Sequence, residues 1–244
     1  MWGGERRSVS ISTGKERLMS EENRKAIRIS VRNLVEFVLR SGDIDNRRSG
    51  NAQKDAMLAG GRIHRKIQKR MGSGYRAEVP LKHEVQDEEK EITLLVEGRA
   101  DGIFTENGIP VIDEIKGMYT DISRLEEPIE VHLAQAMCYG YFYCCDKDLD
   151  GIRLQMTYCN LETEEIKRFQ TDRSREELET WFSGVVHEYF KWARYLYHHE
   201  LTRDASIGHL EFPFPYRAGQ RDLVVSVYRN VSRKKRLLDR KSGV

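Results

Sequence analysis

Long hydrophobic runs are what this sequence most lacks. No stretch approaches the roughly 18 apolar residues of a membrane-crossing helix. The opening MWGGERRSVSISTGK has no apolar core of the kind a secretory signal requires, and a cytoplasmic protein is the expectation. Cysteine is scarce: Cys138, Cys144, Cys145 and Cys159 are the four. None lies in a C-x-x-C pair and two are adjacent, so neither a zinc site nor a disulfide framework is indicated, and buried thiols are the reading. Net charge is small, at +2 over 244 residues, and unevenly spread. From Arg229 to Val244 there are seven Lys or Arg against one Asp, a local +6, which leaves −4 for everything before. Overall charge thus gives no argument for nucleic acid; such affinity has to come from a local groove and bound metal. A G-x-x-x-x-G-K-[ST] phosphate loop is absent too, since Gly14-Lys15 has no leading glycine.

What is present points to a soluble globular protein with long charged helices, with charged residues at 33% and the hydrophobic set at 39%. The length allows one large domain, or one domain with an appendage. The most informative stretch is Val96 to Met118, VEGRADGIFTENGIPVIDEIKGM. Asn107-Gly108 between two apolar runs is a strong hairpin signal. With those two residues at the tip, Asp101 is expected opposite Glu114, and Arg99 opposite Lys116. Alternation along the strand sends Glu114 and Lys116 to one face, Asp113 and Ile115 to the other. Two facing carboxylates repel, and a divalent cation between them resolves the conflict, since Mg²⁺ takes oxygen ligands from one or two carboxylates. A solvated hairpin with decorative surface charge is the alternative.

In chain order, residues 1–26 are polar and read as a flexible extension. A helix is expected from Ser30 as N-cap, burying Val31, Leu34, Val35 and Val38 and ending at Ser41-Gly42. A polar link from Asp43 leads to a second helix reaching about Met71, with Ile63 and Ile67 facing the core and His64 at the edge of that stripe. A histidine so placed is commonly structural. Tyr75, Ala77, Val79 and Leu81 mark a first strand, Ile92 to Phe104 a second, Val111 to Gly117 a third, and these form an antiparallel meander. Ser123 to Pro128 reads as a loop. Glu130 to about Cys144 reads as a helix on which His132, Gln135 and Tyr139 share a face. Gly151 to Phe169 supplies a strand and a short return strand. Ser174 and Glu177 make a capping box, followed by a stripe from Leu178 through Trp181, Phe182, Val185, Tyr189 and Trp192 to Leu196, read as core.

Four of these segments together resemble the PD-(D/E)XK nucleases, specifically the RecB-like exonucleases. They are GGRIHRKIQ (Gly60 to Gln68), Asp101 in GRADGI, Glu114-Ile115-Lys116 as the E-x-K, and Gln135 with Tyr139 as the Q-x-x-x-Y. The resemblance covers roughly residues 55 to 160 and implies an α/β restriction-endonuclease-like core, a mixed β-sheet flanked by helices in the order α-β-β-β-α-β. It implies Mg²⁺ or Mn²⁺ held by His64, Asp101, Glu114 and the Ile115 carbonyl, with Asp101, Glu114 and Lys116 catalytic. Gln135 and Tyr139 would position the DNA strand, and Arg99 and Arg124 are candidate phosphate contacts. Some relatives carry an iron–sulfur cluster, with one cysteine ahead of the histidine helix; no cysteine here precedes residue 138, so no cluster is expected.

After Ala205, the segment LEFPFPYRAGQRDL (Leu210 to Leu223) is similar to the opening of DinG-type helicase domains, where a glutamine such as Gln220 reads adenine. The expected layout is therefore an extension (1–26), a nuclease domain (27–205), and a truncated helicase start or basic tail (206–244). The function implied is a metal-dependent deoxyribonuclease, an exonuclease by analogy, serving as the nuclease module of a repair or recombination helicase. Its partners would be end-bearing or single-stranded DNA and a motor in the same full-length chain. The rivals are a catalytically silent nucleic-acid-binding module and a metal hydrolase of small phosphoesters.

Overall fold

A computed structural model describes residues 25–41, 51–211 and 213–236, with only the backbone given for 51–57. The extension and the polar link, as read from sequence, therefore fall almost wholly outside the described residues. The elements are β1 (Lys25–Ser30), α1 (Val31–Val38), α2 (Asn51–Arg70), β2 (Arg76–Gln86), β3 (Ile92–Glu106), β4 (Ile109–Met118), a 3-10 turn (Ile122–Arg124), α3 (Glu130–Lys147), β5 (Gly151–Asn160), β6 (Ile166–Ser174), α4 (Arg175–Ile207) and α5 (Gln220–Ser232). The run from α2 to β5 has the α-β-β-β-α-β order. Among the described residues six strands make one mixed sheet, ordered β1-β3-β4-β5-β6 with β2 also on β3. No helix among the described residues is long and apolar enough to cross a membrane.

The β3–β4 hairpin turns at Asn107 (φ 52°) and Gly108 (φ 82°). Two consecutive left-handed residues define the type I′ turn that matches strand twist. The pairs Phe104–Val111 and Gly102–Asp113 follow from it. There the antiparallel ladder stops. Arg99 pairs with Pro80 of β2 rather than facing Lys116, and Asp101 has no ladder partner in β4. From that point β4 continues parallel to β5 as far as Met118. The vacated edge of β3 is taken instead by β1, parallel from Lys25–Ile92 to Ser30–Glu97. The sheet thus forks between β3 and β4, with Asp101 at the crotch. β1 itself was not foreseen, because Ile27 and Ile29 are too few to signal a strand.

The fork is also where β3 changes the face it presents. Ile92, Leu94, Val96 and Ala100 join the core beneath α1, α3 and α4, yet so does Ile103, three positions after Ala100. An unbroken pleat would need an even spacing. Opposite, Glu78 of β2 adopts φ 54°, and the β2–β3 pairs run on either side of Glu78 and Asp101 without including them.

On the other face Ile63 and Ile67 of α2 pack on Ile115 and Cys159. Full burial of an isoleucine contributes about 2 kcal/mol. Of the four cysteines three are buried and Cys145 is half-buried. α1 begins at Ser30, whose hydroxyl accepts from the Asn33 N–H, and ends after Val38, short of Ser41. α4 opens with the capping box, Ser174 N–H to Glu177 and Glu177 N–H to Ser174 Oγ. Its buried face runs through Leu178, Phe182, Val185, Val186, Phe190 and Ala193. Trp192 and Leu196, expected in the core, are instead 57% exposed. The buried stripe passes to Phe190 and Ala193, leaving Trp192 on the flank, where its ring meets Phe37 edge-on at 6.1 Å.

Gly102 is fixed by crowding. A Cβ there would overlap the phenol of Tyr75, whose hydroxyl donates to Asp113 Oδ2 at 3.0 Å. Gly102→Ala is expected to destabilise the protein by about 2–4 kcal/mol through overpacking and loss of a donor to a buried carboxylate. Denaturant unfolding measures it, and a change below about 0.5 kcal/mol would show that Tyr75 can move aside freely.

The chain divides after Tyr197 into two compact units. The second contains α5, which buries none of its side chains; Gln220 accepts from the Arg217 N–H.

Candidate active site

At the fork the side chains of α2, β3, β4 and α3 converge. Having no ladder partner, Asp101 uses its side chain in place of backbone: Oδ2 accepts the Ile115 N–H at 2.7 Å. Its own carbonyl accepts from Gln68 Nε2 at 2.9 Å, and the same amide nitrogen lies 3.3 Å from Glu78 Oε1. Gln68 therefore satisfies the backbone group that the break leaves open. It sits one helical turn beyond His64, whose Nδ1 lies 3.3 Å from Asp101 Oδ1. The N–H and C=O of a strand residue share one edge, so the Ile115 carbonyl turns toward the same fork as its N–H.

Glu114 and Lys116 share the face turned to α3, as strand alternation requires. Lys116 Nζ donates to Glu114 Oε1 at 2.8 Å and to Gln135 Oε1 at 2.9 Å. An ammonium has three donors, so one N–H of Lys116 remains for a third partner. Glu114 is only 4% exposed, and its second oxygen, Oε2, is buried with no hydrogen-bond partner among the described residues. A carboxylate oxygen without a partner in a low-dielectric setting is costly. The acid is accordingly perturbed: burial, then the Asp101 charge, push its pKa up to about 7 against the pull of Lys116. Burial alone would lower the pKa of His64, but its hydrogen bond to Asp101 and the charges of Asp101 and Glu114 outweigh this, and the net shift is upward.

The Glu114 and Asp101 carboxylates and the His64 imidazole, which lies 3.3 Å from Asp101, are donors of the type that suits a hard or borderline divalent cation, although their ligand atoms do not all lie within 4.8 Å of one another. In chemical type the residues fit the metal that the resemblance implies.

The remaining expected site residues are placed differently. Tyr139 is buried, with its hydroxyl over the backbone of Gly98. Burial, with the charges of Glu114 and Asp101, raises its pKa, so it stays neutral and packs α3 on β3. Arg99 is exposed. Arg124 is exposed in the 3-10 turn, 3.3 Å from Asp121. His132 has its pKa lowered to about 4 by burial and then by the Lys116 and Arg32 charges; its Nδ1 lies 3.3 Å from the Tyr158 hydroxyl. Asp113, on the opposite face, is fully buried and accepts from Thr157 Oγ1 (2.6 Å), Gln155 Nε2 and Tyr75 (both 3.0 Å), which marks it as structural.

Two residues of this neighbourhood, Gln68 and Tyr75, are not among the expected site residues. Gln68 carried a usable signal, since it lies four residues after His64 and so on the same helix edge. Tyr75 carried none, because its partner Asp113 is distant in sequence.

No family model and no curated protein matches the chain. Solved structures similar to it include SSO0001, with 18% identity and a TM-score of 0.43, covering 71% of this chain and 81% of that one. Another is an alkaline exonuclease, LHK-Exo, from Laribacter hongkongensis, with 13% identity and a TM-score of 0.40, covering 72% and 94%. The same exonuclease in complex with dAMP gives 13%, 0.38, 77% and 98%.

Proposed function

We propose that this chain is a metal-dependent nuclease that hydrolyses phosphodiester bonds in DNA. The observation that carries the reading is that buried Glu114, whose Oε2 has no partner among the described residues, feels the charges of Asp101 and His64, which lie 3.3 Å from each other, with Lys116 held on its other oxygen. His64, Asp101, Glu114 and the Ile115 carbonyl would hold Mg²⁺ or Mn²⁺. When bound, such an ion lowers the pKa of water and offsets charge on the scissile phosphate.

The chain's own groups supply the rest. Lys116, held from two sides by Glu114 and Gln135, has an N–H left to orient the attacking water and to stabilise charge as the water oxygen bonds to phosphorus and the ester P–O bond breaks, the proton the water gives up passing by way of solvent to the leaving oxygen. Gln135 acts on Lys116 and is in this reading a positioning residue. Asp101 ties β3 to β4 through the Ile115 amide, so the acids stay in register. The resemblance of Leu210 to Leu223 to a helicase opening supports a module that works beside a motor in a repair or recombination enzyme, with an exonucleolytic mode by analogy.

End-labelled single-stranded and duplex DNA, incubated with Mn²⁺ or Mg²⁺ and resolved on a gel, tests this reading. Cleavage that vanishes with EDTA is the expected outcome. Binding without cleavage under every metal condition points to a silent binding module and overturns it.

A further inference from the structure

The site carries two carboxylates, which repel a phosphodiester, and the two arginines expected to hold phosphate lie on separate exposed segments. The cations that could draw a strand in are elsewhere. Along the described side chains of α2, residues 58–70, there are five Lys or Arg and no acid. Lys66 is paired with Glu164, and Arg70 lies in the field of the same carboxylate. Arg62, Arg65 and Lys69 are exposed and make no ion pair among the described residues. At 100° per residue, Arg65 and Lys69 stand next round the helix from His64 and Gln68, on the side away from Ile63 and Ile67. A shallow cleft of about 230 Å³ opens there, lined by Arg65, Gln68, Lys69, Tyr75 and Ala77. Lys69 in the last turn also suits the helix macrodipole, but Arg65 lies too far from the end for that to explain it.

We propose that Arg65 and Lys69, with the cleft they share with Tyr75, bind the sugar–phosphate backbone of the nucleic-acid strand beside the phosphodiester presented to Asp101 and Glu114. The inference rests on the nuclease reading above. Two cations that make no ion pair among the described residues, at one edge of an acidic site, give the strand a direction: it crosses α2 rather than the 3-10 turn that carries Arg124. The contact is electrostatic and sequence-independent, and Arg62, close by on the same outer face, extends it.

The test is fluorescence anisotropy of a labelled single-stranded oligonucleotide with the full chain in EDTA, over a series of salt concentrations. Each lost phosphate contact on a single strand lowers the salt slope by about 0.7, so Arg65→Ala/Lys69→Ala should lower it by about 1.4 and weaken binding on the order of tenfold near 0.1 M salt. Arg65→Glu/Lys69→Glu should weaken it further. The control pair Arg28→Ala/Lys82→Ala removes the same charge from other exposed positions and should have a much smaller effect. An unchanged slope in both α2 variants, an equal loss in the control, or a wild type that does not bind overturns the proposal. Thermal melting verifies that the variants are folded. Cleavage assayed in parallel with Mn²⁺ separates the two readings: α2-dependent binding without cleavage removes the nuclease function and leaves this surface standing.

Discussion

On the nuclease reading, Lys116→Ala is expected to lower the rate of Mn²⁺-dependent DNA cleavage by about a thousandfold, the scale of losing a preorganised donor together with its charge, while DNA affinity stays within a few-fold of wild type. The split follows from geometry. Lys116 spends two N–H groups on Glu114 and Gln135 and has one directed donor left. Removing it takes away a charge that matters as the phosphorane forms, not one that holds the strand at a distance. Glu114→Gln should lose cleavage to a similar extent for a different reason, with weakened Mn²⁺ affinity by calorimetry; Lys116→Ala should keep that affinity. Equal cleavage by wild type and Lys116→Ala would move the chemistry away from the fork altogether.

The metal-free protein is expected to be less stable at about pH 8 than at about pH 5, by on the order of 3 kcal/mol, since one pKa unit is worth about 1.4 kcal/mol. The folded Glu114 carboxyl titrates at about 7 instead of 4.5, chiefly because it is buried and then because Asp101 is near. Below its ordinary pKa it is protonated in both folded and unfolded chains, and its contribution is fully present. As pH rises through the folded pKa, that contribution is lost, because only the unfolded chain ionises freely. His64, whose pKa is also raised, acts in the same direction: the preference of its charged form for the folded state fades as it deprotonates. Mn²⁺ should restore stability at the higher pH by stabilising the ionised acid, and Glu114→Gln should remove most of the slope. Melting curves that do not move with pH or with Mn²⁺ would mean that Glu114 Oε2 is in fact well solvated.

Much of this arrangement could be read from the sequence, for identifiable reasons. Asn107-Gly108 dictates a type I′ turn and with it the register as far as Gly102–Asp113, and strand alternation puts Glu114 and Lys116 on one face. Ile63 and Ile67 announce the buried side of α2 and thereby which edge His64 occupies. The break could not be read, because it depends on Glu78 in a left-handed conformation and on β1 arriving from outside the hairpin to take the edge of β3. Extending the hairpin ladder past Gly102 therefore set Arg99 opposite Lys116, where the structure has no such pair. Tyr139 reads from sequence as a strand-holding residue; the structure buries its phenol over Gly98, and nothing local reveals that Gly98 leaves that room. On α4 a simple helical stripe picked Trp192 and Leu196, whereas the packed surface runs through Phe190 and Ala193.

On the proposed reading Asp101 does two jobs at once, holding metal and closing the ladder at Ile115, and this shapes what loss of activity would look like in a descendant of this protein. Because its carboxylate replaces a missing rung of the ladder at Ile115, the aspartate remains useful to a chain that has given up hydrolysis. Such a chain has far less reason to keep an ammonium at position 116. The lysine, rather than the aspartate, is therefore the residue whose presence separates a working copy from a retired one.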